Sequence, residues 1–374
     1  MNESRATRYQ RARRRAHAAG VVSGVAMLVV VTATPAGRAL AGWADGFGRG
    51  LAPGPRGVVA FVVFVTALVA LWELAVLPAL FYQATAVDAR YRTGRPRSGD
   101  VVVAHAGALV VALPLVFGAA VIVRLSFLAG AAWWVAASAA LAAATVGVLS
   151  AGPALFARWV GARPLSRPAL SARLTRLGRE AGVDIAGLYE LPVGETSRTV
   201  ALVTGLGRAR RVFVASPVVA AWSHDEIAVV VAHELAHHAH RDLPRTLALD
   251  AAVLATALGA SDAVVRAVGP RIGVADATSL AALPALALVG GLVWLAATPI
   301  RHAWSRRLER RADAFALRLT GQADAFAAVI RRLGEAHLLD DRPSGWTRWF
   351  YHRHPPTAER LAMAAAFDRG DATG

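Results

Sequence analysis

A chain of 374 residues of which 56% are hydrophobic, with a mean hydropathy of +0.44, is too apolar for an ordinary water-soluble protein. Its 41 basic residues other than histidine are all arginine and give a formal net charge of +16, while the lack of cysteine excludes disulfides, thiolate metal ligands and cysteine nucleophiles. No zinc finger or RNA-binding aromatic motif accompanies the charge, so the reading is no nucleic acid partner and attraction to anionic lipid headgroups instead.

In chain order, Arg11, Arg13, Arg14 and Arg15 precede a short apolar run at about 18–34. That run fits the apolar region of a secretory or twin-arginine signal or, given the spans that follow, a retained signal anchor. Runs long enough to cross ~30 Å of hydrocarbon follow at about 57–80, 101–123, 131–157, 246–268 and 278–300, which makes six spans. Glu73 and His105 fall in or beside apolar runs, as an interhelical polar contact or as part of a water-filled chamber. Asp250, Asp262 and Arg266 make the 246–268 run a candidate for partial interfacial placement or for lining a polar cavity. The Gly20, Gly24 pair is too weak a signal for a helix dimer.

Between the fourth and fifth spans the pattern changes. Arg158 to Pro168 reads as an Arg and Pro-rich linker, and Leu170, Leu174 and Leu177 mark a short amphipathic helix. Residues 184–191 and 199–215 read as short strands, the second stretch turning around Gly205 and Gly207. Ser223-His224-Asp225-Glu226 is a capping box opening a helix that Ile227, Val229, Val230 and Val231 carry forward. After the 246–300 hairpin come a helix from Ser305, another at about 323–339 and a last one beyond Pro356.

The capped helix runs into His233-Glu234-Leu235-Ala236-His237. Positions i and i+4 share a helix face, so both imidazoles can present nitrogens to one Zn²⁺ about 2 Å away, with Glu234 leaning toward the metal-bound water. Zinc lowers the pKa of such water toward ~7, and the glutamate takes its proton during attack on a peptide carbonyl. On the later helix Glu309 and Asp313 lie four apart on one face. Glu309 can complete a His₂Glu site for one Zn²⁺ per chain, and Asp313 can fix the tautomer of a ligand imidazole. His238 and His240 lie at other helix angles, which favours solvent or headgroup contact. Trp346, Trp349, Phe350 and Tyr351 read as an interfacial anchor in preference to a substrate clamp.

The two motifs together resemble the membrane-embedded M48 metallopeptidases, the Ste24 and HtpX-like family, over about residues 170–365. Thr204-Gly205-Leu206-Gly207, Arg210-Arg211-Val212-Phe213-Val214 and Asp225-Glu226-Ile227 follow the order of the Ste24 branch, as does the tail His354-Pro355-Pro356-Thr357-Ala358-Glu359-Arg360. Upstream, Glu73, Leu77-Pro78, Phe81-Tyr82 and Tyr91-Arg92 match more loosely. The resemblance implies that His354, with Arg360, binds substrate or stabilises the tetrahedral oxyanion. It also implies an open edge strand that pairs with an extended substrate. There Val200-Ala201 stands where the family usually has Asn-Ala, which bears on substrate preference and not on the metal. The Ste24 branch implies prenylated C-terminal peptides as substrates, and the HtpX branch damaged or misassembled membrane proteins.

The expected fold is mainly α, a polytopic membrane protein with about six transmembrane helices and a small α+β zincin-like catalytic unit. Its segments are 1–160 (four spans), 161–245 (HExxH segment), 246–300 (transmembrane hairpin) and 301–374 (third ligand and C-terminal helices). Arginines concentrate at 5–15, 90–97, 158–245 and from 301 onward, so the positive-inside rule puts the N-terminus, catalytic segments and C-terminus in the cytoplasm of what reads as a bacterial cell membrane. His237 and Glu309 are 72 positions apart with two spans between them, and an even number of crossings returns the chain to one side. The function expected is a membrane-embedded zinc metalloendopeptidase acting on membrane-tethered peptides or proteins. A catalytically silent scaffold retaining the fold is the alternative, while the paired interrupted spans usual in a transporter are missing.

Overall fold

The structure is a computed structural model and describes residues 4–91, 98–194, 200–205, 207 and 210–370. Arg92, Arg95, Arg97 and Leu206 lie outside the described residues, as does the first position of the strand stretch expected over 199–215. The chain is mainly helical. It begins with α1 (Arg5–Ala33), α2 (Ala36–Gly46) and α3 (Pro53–Tyr82), which continues through a π-helical stretch, Gln83–Asp88, into α4 (Ala89–Tyr91). Next come α5 (Ser98–Ser126), α6 (Trp133–Trp159), β1 (Arg163–Pro164), α7 (Pro168–Glu180), β2 (Gly187–Leu191), β3 (Ala201–Thr204) and β4 (Arg211–Ala215). Helices complete it: α8 (Ser216–Ala221), α9 (His224–Ala239), α10 (Asp242–Val268), α11 (Leu283–Thr320), α12 (Ala323–His337), α13 (Gly345–Tyr351) and α14 (Thr357–Asp368).

Among the described residues five helical segments are long and apolar enough to cross a membrane: Arg5–Ala33, Gly54–Tyr91, Ser98–Gly152, Asp242–Ile272 and Leu280–Thr320. All six expected runs fall on these segments. The count is five because the runs at 101–123 and 131–157 share one 55-residue segment. It turns between α5 and α6 at Gly130, whose φ of 59° is open to glycine at little cost.

The chain divides into two compact units, residues 1–141 with 251–297 and residues 142–250 with 298–374. In the first, a buried cluster joins Trp133 and Ala137 of α6 to Leu258 and Val265 of α10 and to Ala282 and Leu286. Several of its polar groups are paired. The Trp133 indole N–H donates to Asp262 Oδ1 at 2.8 Å, and Arg266 Nε donates to Oδ2 at 2.8 Å. His105 Nε2 and Glu73 Oε2 are 2.8 Å apart, so these two form an interhelical contact between α5 and α3. Gly24 serves packing: a Cβ there would stand 2.7 Å from the Trp72 ring of α3.

The second unit carries a four-stranded sheet in the order β1-β2-β4-β3. β2 and β4 are parallel, whereas β1 and β3 run antiparallel to their neighbours. β1 falls within the stretch expected to be a linker, and at two residues it has no periodicity to read. Val212, Phe213, Val214 and Ala215 are all buried, as expected of a central strand covered on both faces, and β3 is left as an edge. Leu170, Leu174 and Leu177 of α7 pack on β4 and on Ile227, Val231 and Leu235 of α9. This apolar stripe fixes the rotation of α9. Each such fully buried leucine contributes about 1.5–3 kcal/mol.

Two helix boundaries differ from the sequence expectation. The ligand helix does not begin at Ser305, because α11 runs unbroken for 38 residues with Pro299 inside it. The preceding helix starts at Asp242, earlier than the apolar run, because Arg241 takes φ 54° and ends α9.

Candidate metal centre

The capping box forms as the sequence requires. Glu226 N–H donates to Ser223 Oγ at 3.1 Å, and Ser223 N–H donates to Glu226 Oε2 at 2.7 Å. With α9 started there and its apolar stripe turned to the sheet, His233, Glu234 and His237 face away from that core. On α11 Ala312 and Ala316 are buried, and Glu309 and Asp313, one turn apart, both reach His233 of α9.

Among the described residues, His233, His237 and Glu309 each offer a donor atom within 4.8 Å of the others. His233 Nε2 lies 3.3 Å from Glu309 Oε2, and His237 Nε2 lies 3.6 Å from Oε1. The far nitrogens face carboxylates. His237 Nδ1 is 2.9 Å from Asp242 Oδ2. His233 Nδ1 is 2.9 Å from Asp313 Oδ1. An Nδ1 proton held by a carboxylate leaves Nε2 as a lone-pair ligand, so this donor set fits a zinc ion.

Both supporting acids are themselves held. Arg360 forks onto Asp313, with Nε at 2.8 Å from Oδ2 and Nη2 at 2.5 Å from Oδ1. Asp242 accepts from Arg311 of α11. The sequence reading missed Asp242 and Arg311. The available signal was an acid five residues past His237 at the head of the next helix.

Burial alone would lower the His233 pKa, but the Asp313 and Glu309 carboxylates hold its proton and raise it to about 10. Burial raises the Glu234 carboxyl above its usual range, partly offset by the neighbouring imidazoles. Glu234 and His237 line a cavity of about 350 Å³ together with Leu202, Val203, Thr204 and Gly205. The cavity continues along the start of the hairpin past Thr246, Asp250, Arg301 and Trp304. Asp250 and Arg301 are paired there, Nε to Oδ1 at 2.7 Å.

The strand expected to grip substrate is at the sheet edge, with a shifted working surface. Val200 C=O accepts from Ala215 N–H at 3.0 Å, so by antiparallel alternation Ala201 and Val203 aim their polar groups at the open side. Leu202 to Gly205 line the cavity, and Val200 and Ala201 do not. His238, expected to contact solvent or headgroups, instead donates from Nε2 to Val203 C=O at 3.0 Å while Nδ1 accepts from Arg210 Nε at 3.2 Å. Burial pushes this imidazole below its ordinary pKa, in keeping with a neutral ring between two such partners. His240 packs edge-on against Phe315, ring centroids 5.2 Å apart.

His354 and Arg360 stand differently from each other. His354 Nδ1 is 2.7 Å from Glu309 Oε2, directly on a ligand, and most of the side chain is exposed. Arg360 is engaged on Asp313, behind His233, and neither it nor His354 lines the cavity.

Comparison with known proteins agrees with this site. The chain is 30% identical over 232 residues to the protease HtpX homolog of Acidiphilium cryptum, covering 54% of this chain and 76% of the relative. It is 31% identical over 241 residues to protease HtpX of Nitrosococcus oceani, covering 56% and 76%. Against the uncharacterized metalloprotease YhfN of Bacillus subtilis it is 26% identical over 206 residues, spanning 54% of this chain and about half, 48%, of that relative. Among solved structures, S. mikatae Ste24p superposes with a TM-score of 0.79 at 15% identity, covering 96% of this chain and 88% of that one, a likeness of fold. The profile of Peptidase family M48 matches residues 164–367, the stretch that holds β2 to β4 and every member of the His233, His237 and Glu309 cluster, and the chain therefore belongs to that family of metallopeptidases, here as a multi-pass membrane protein.

Proposed function

We propose that the chain is a membrane-embedded zinc endopeptidase that cleaves membrane-tethered peptide segments, with Glu234 as general base. The observation that carries this is Glu234, between the two imidazole ligands in sequence, lining a cavity bounded by an open strand edge. Bound at His233, His237 and Glu309, one zinc ion supplies Lewis-acid polarisation of the scissile carbonyl and a water of lowered pKa. The Glu234 carboxylate, made more basic by burial, accepts the proton of the attacking water and delivers it to the amide nitrogen as the C–N bond breaks. His354 is the proposed donor to the oxyanion developing on the carbonyl. Arg360 is assigned to positioning Asp313 in place of the substrate contact expected for it.

Extended substrate pairs with the open side of β3 through Ala201 and the Val203 N–H. Val200, whose carbonyl is committed to β4, supports that edge from behind. Because the cavity follows α10 and α11 from the cluster toward their apolar stretches, the favoured substrates are lipid-proximal. Both prenylated C-terminal peptides and misassembled membrane proteins belong to that class. The arginine distribution places the N-terminus, the site and the C-terminus on the cytoplasmic face of the cell membrane.

Purified protein assayed for bound zinc and for chelator-sensitive cleavage of a quenched-fluorescent peptide tests the reading, with activity restored by added zinc. Stoichiometric zinc with no cleavage of any peptide would support the silent scaffold. Access is tested by presenting one cleavable sequence as a soluble peptide and as a bilayer-anchored one, corrected for local concentration. Equal turnover would contradict the proposed route and leave the peptidase assignment standing.

A further inference from the structure

We propose that α13 is a strut seated in the headgroup layer of the membrane the chain itself spans, and that this seating holds His354 against Glu309. The helix is capped by Ser344, which accepts from Thr347 N–H, and Thr347 is its buried contact. The opposite side is bare: Trp346 is 72% exposed and Trp349 56%. Trp346, Trp349 and Phe350 stand at i, i+3 and i+4 on one face, with the Trp346 and Phe350 rings 4.3 Å apart. Two exposed tryptophans side by side form an apolar patch with a polar N–H handle on each, which suits the boundary between water and acyl chains.

The level of the helix relative to the membrane follows from what fastens it. Arg306 Nη1 donates to Arg348 C=O at 2.8 Å and to His352 C=O at 2.7 Å, and His302 Nδ1 lies 3.3 Å from Trp349 C=O. These anchors are on α11, whose apolar run ends near the exposed Ile300. At 1.5 Å per residue, positions 302 and 306 lie roughly 3 Å and 9 Å beyond that end. The interfacial layer outside the hydrocarbon is about 5–7 Å thick on each side, so the His302 end of this fastening lies within it and the Arg306 end at its outer boundary. Arg342, exposed, precedes the patch in sequence with charge complementary to anionic headgroups.

Three residues beyond Tyr351 the chain reaches His354, followed by Pro355-Pro356 with Pro355 buried. Proline fixes φ on that side, and the Arg306 bond to His352 fixes the other. His354 thus hangs on a short, stiff segment, and displacing α13 displaces it from Glu309. The kinetic part of this inference rests on the proposed peptidase function. The membrane seating does not.

The chain has no cysteine, so single-site labelling is clean. In full-length protein in nanodiscs of zwitterionic and anionic lipid, a bimane on Trp346→Cys or Trp349→Cys should be quenched by brominated lipid and shielded from aqueous iodide. A label on Asp341→Cys should show the reverse. Trp346→Ser combined with Trp349→Ser should lower kcat at least about fivefold, the low end of coupling between distant sites, with KM and zinc content unchanged. In a His354→Ala background the same pair should cause no further loss. Iodide access at 346, shielding that depends on the number of protein copies per disc, or shielding that appears only with bound peptide would each overturn the bilayer as occupant, the last two in favour of a second copy or a substrate clamp. Lipid quenching with unchanged kcat would overturn the coupling to His354. An inactive unsubstituted chain would sink the proposed function without touching the depth measurement.

Discussion

Arg360 grips Asp313 with two nitrogens, and Asp313 stands 2.9 Å from Nδ1 of His233, so a residue near the C-terminus helps set the orientation of the first metal ligand. Asp313 is fully buried, and in that position a carboxylate is costly unless its partners stay. Asp313→Ala should weaken zinc affinity about 10 to 100-fold, read by chelator competition. Arg360→Ala should instead act on the fold, leaving the buried Asp313 carboxylate with His233 as its remaining charged partner and costing about 1–3 kcal/mol, read as a lowered thermal midpoint of the metal-free protein.

Asp242 does for His237 what Asp313 does for His233, from the other side of the cluster. Asp242→Asn should reduce zinc affinity by a similar ~10 to 100-fold. If affinity is unchanged while Asp313→Ala loses it, the two imidazoles are not held by equivalent partners.

Glu234→Gln keeps the size of the side chain and removes its basicity. Hydrolysis should fall to background with zinc retained, whereas His233→Ala, His237→Ala or Glu309→Ala should lose the metal itself. Full proteolysis in the Glu234 variant would remove it as the base.

The raised pKa of His233 makes metal uptake pH-dependent. In the metal-free protein its proton must leave before Nε2 and Nδ1 take their ligand and hydrogen-bonding roles, so zinc affinity should climb by roughly tenfold per pH unit below about 10. Calorimetry in buffers of different ionisation enthalpy should show about one proton released per zinc. The stability sign is the reverse. The folded metal-free protein holds this proton more tightly than the unfolded chain, so its contribution is full below pH 6.5 and is lost as pH rises through about 10.

Reporter fusions after residues 95, 200 and 374 should all report cytoplasm, and one in the 269–277 loop the opposite side. Opposite results for 200 and 374 would put the ligands on different sides of the membrane and rule out the site.

The parts of this site that could be read from sequence are those encoded by local spacing. His233, Glu234 and His237 needed only the helical repeat, and the Ser223 and Glu226 box announced the helix that carries them. The apolar runs were legible as spans because length and composition decide them, but the join at Gly130 was not. What stayed hidden depends on tertiary contact. Asp242 gains its role only when a left-handed Arg241 turns the chain back on His237, and His238 only when β3 takes the sheet edge and offers the Val203 carbonyl. The substrate role expected of Arg360 came from the family resemblance alone, and nothing in its sequence neighbours foretold its two bonds to Asp313.

The ligands of this site are made far apart in time. His233 and His237 emerge from the ribosome before α10, and Glu309 follows only once α10 and most of α11 have been synthesised. On the proposed topology, with the hairpin between them, the third ligand would join the other two only after that pair of helices has been threaded into the bilayer and returned. A nascent chain still at the insertion machinery therefore holds two imidazoles and no competent centre, and its neighbours in the membrane are safe from it until its own topology is complete.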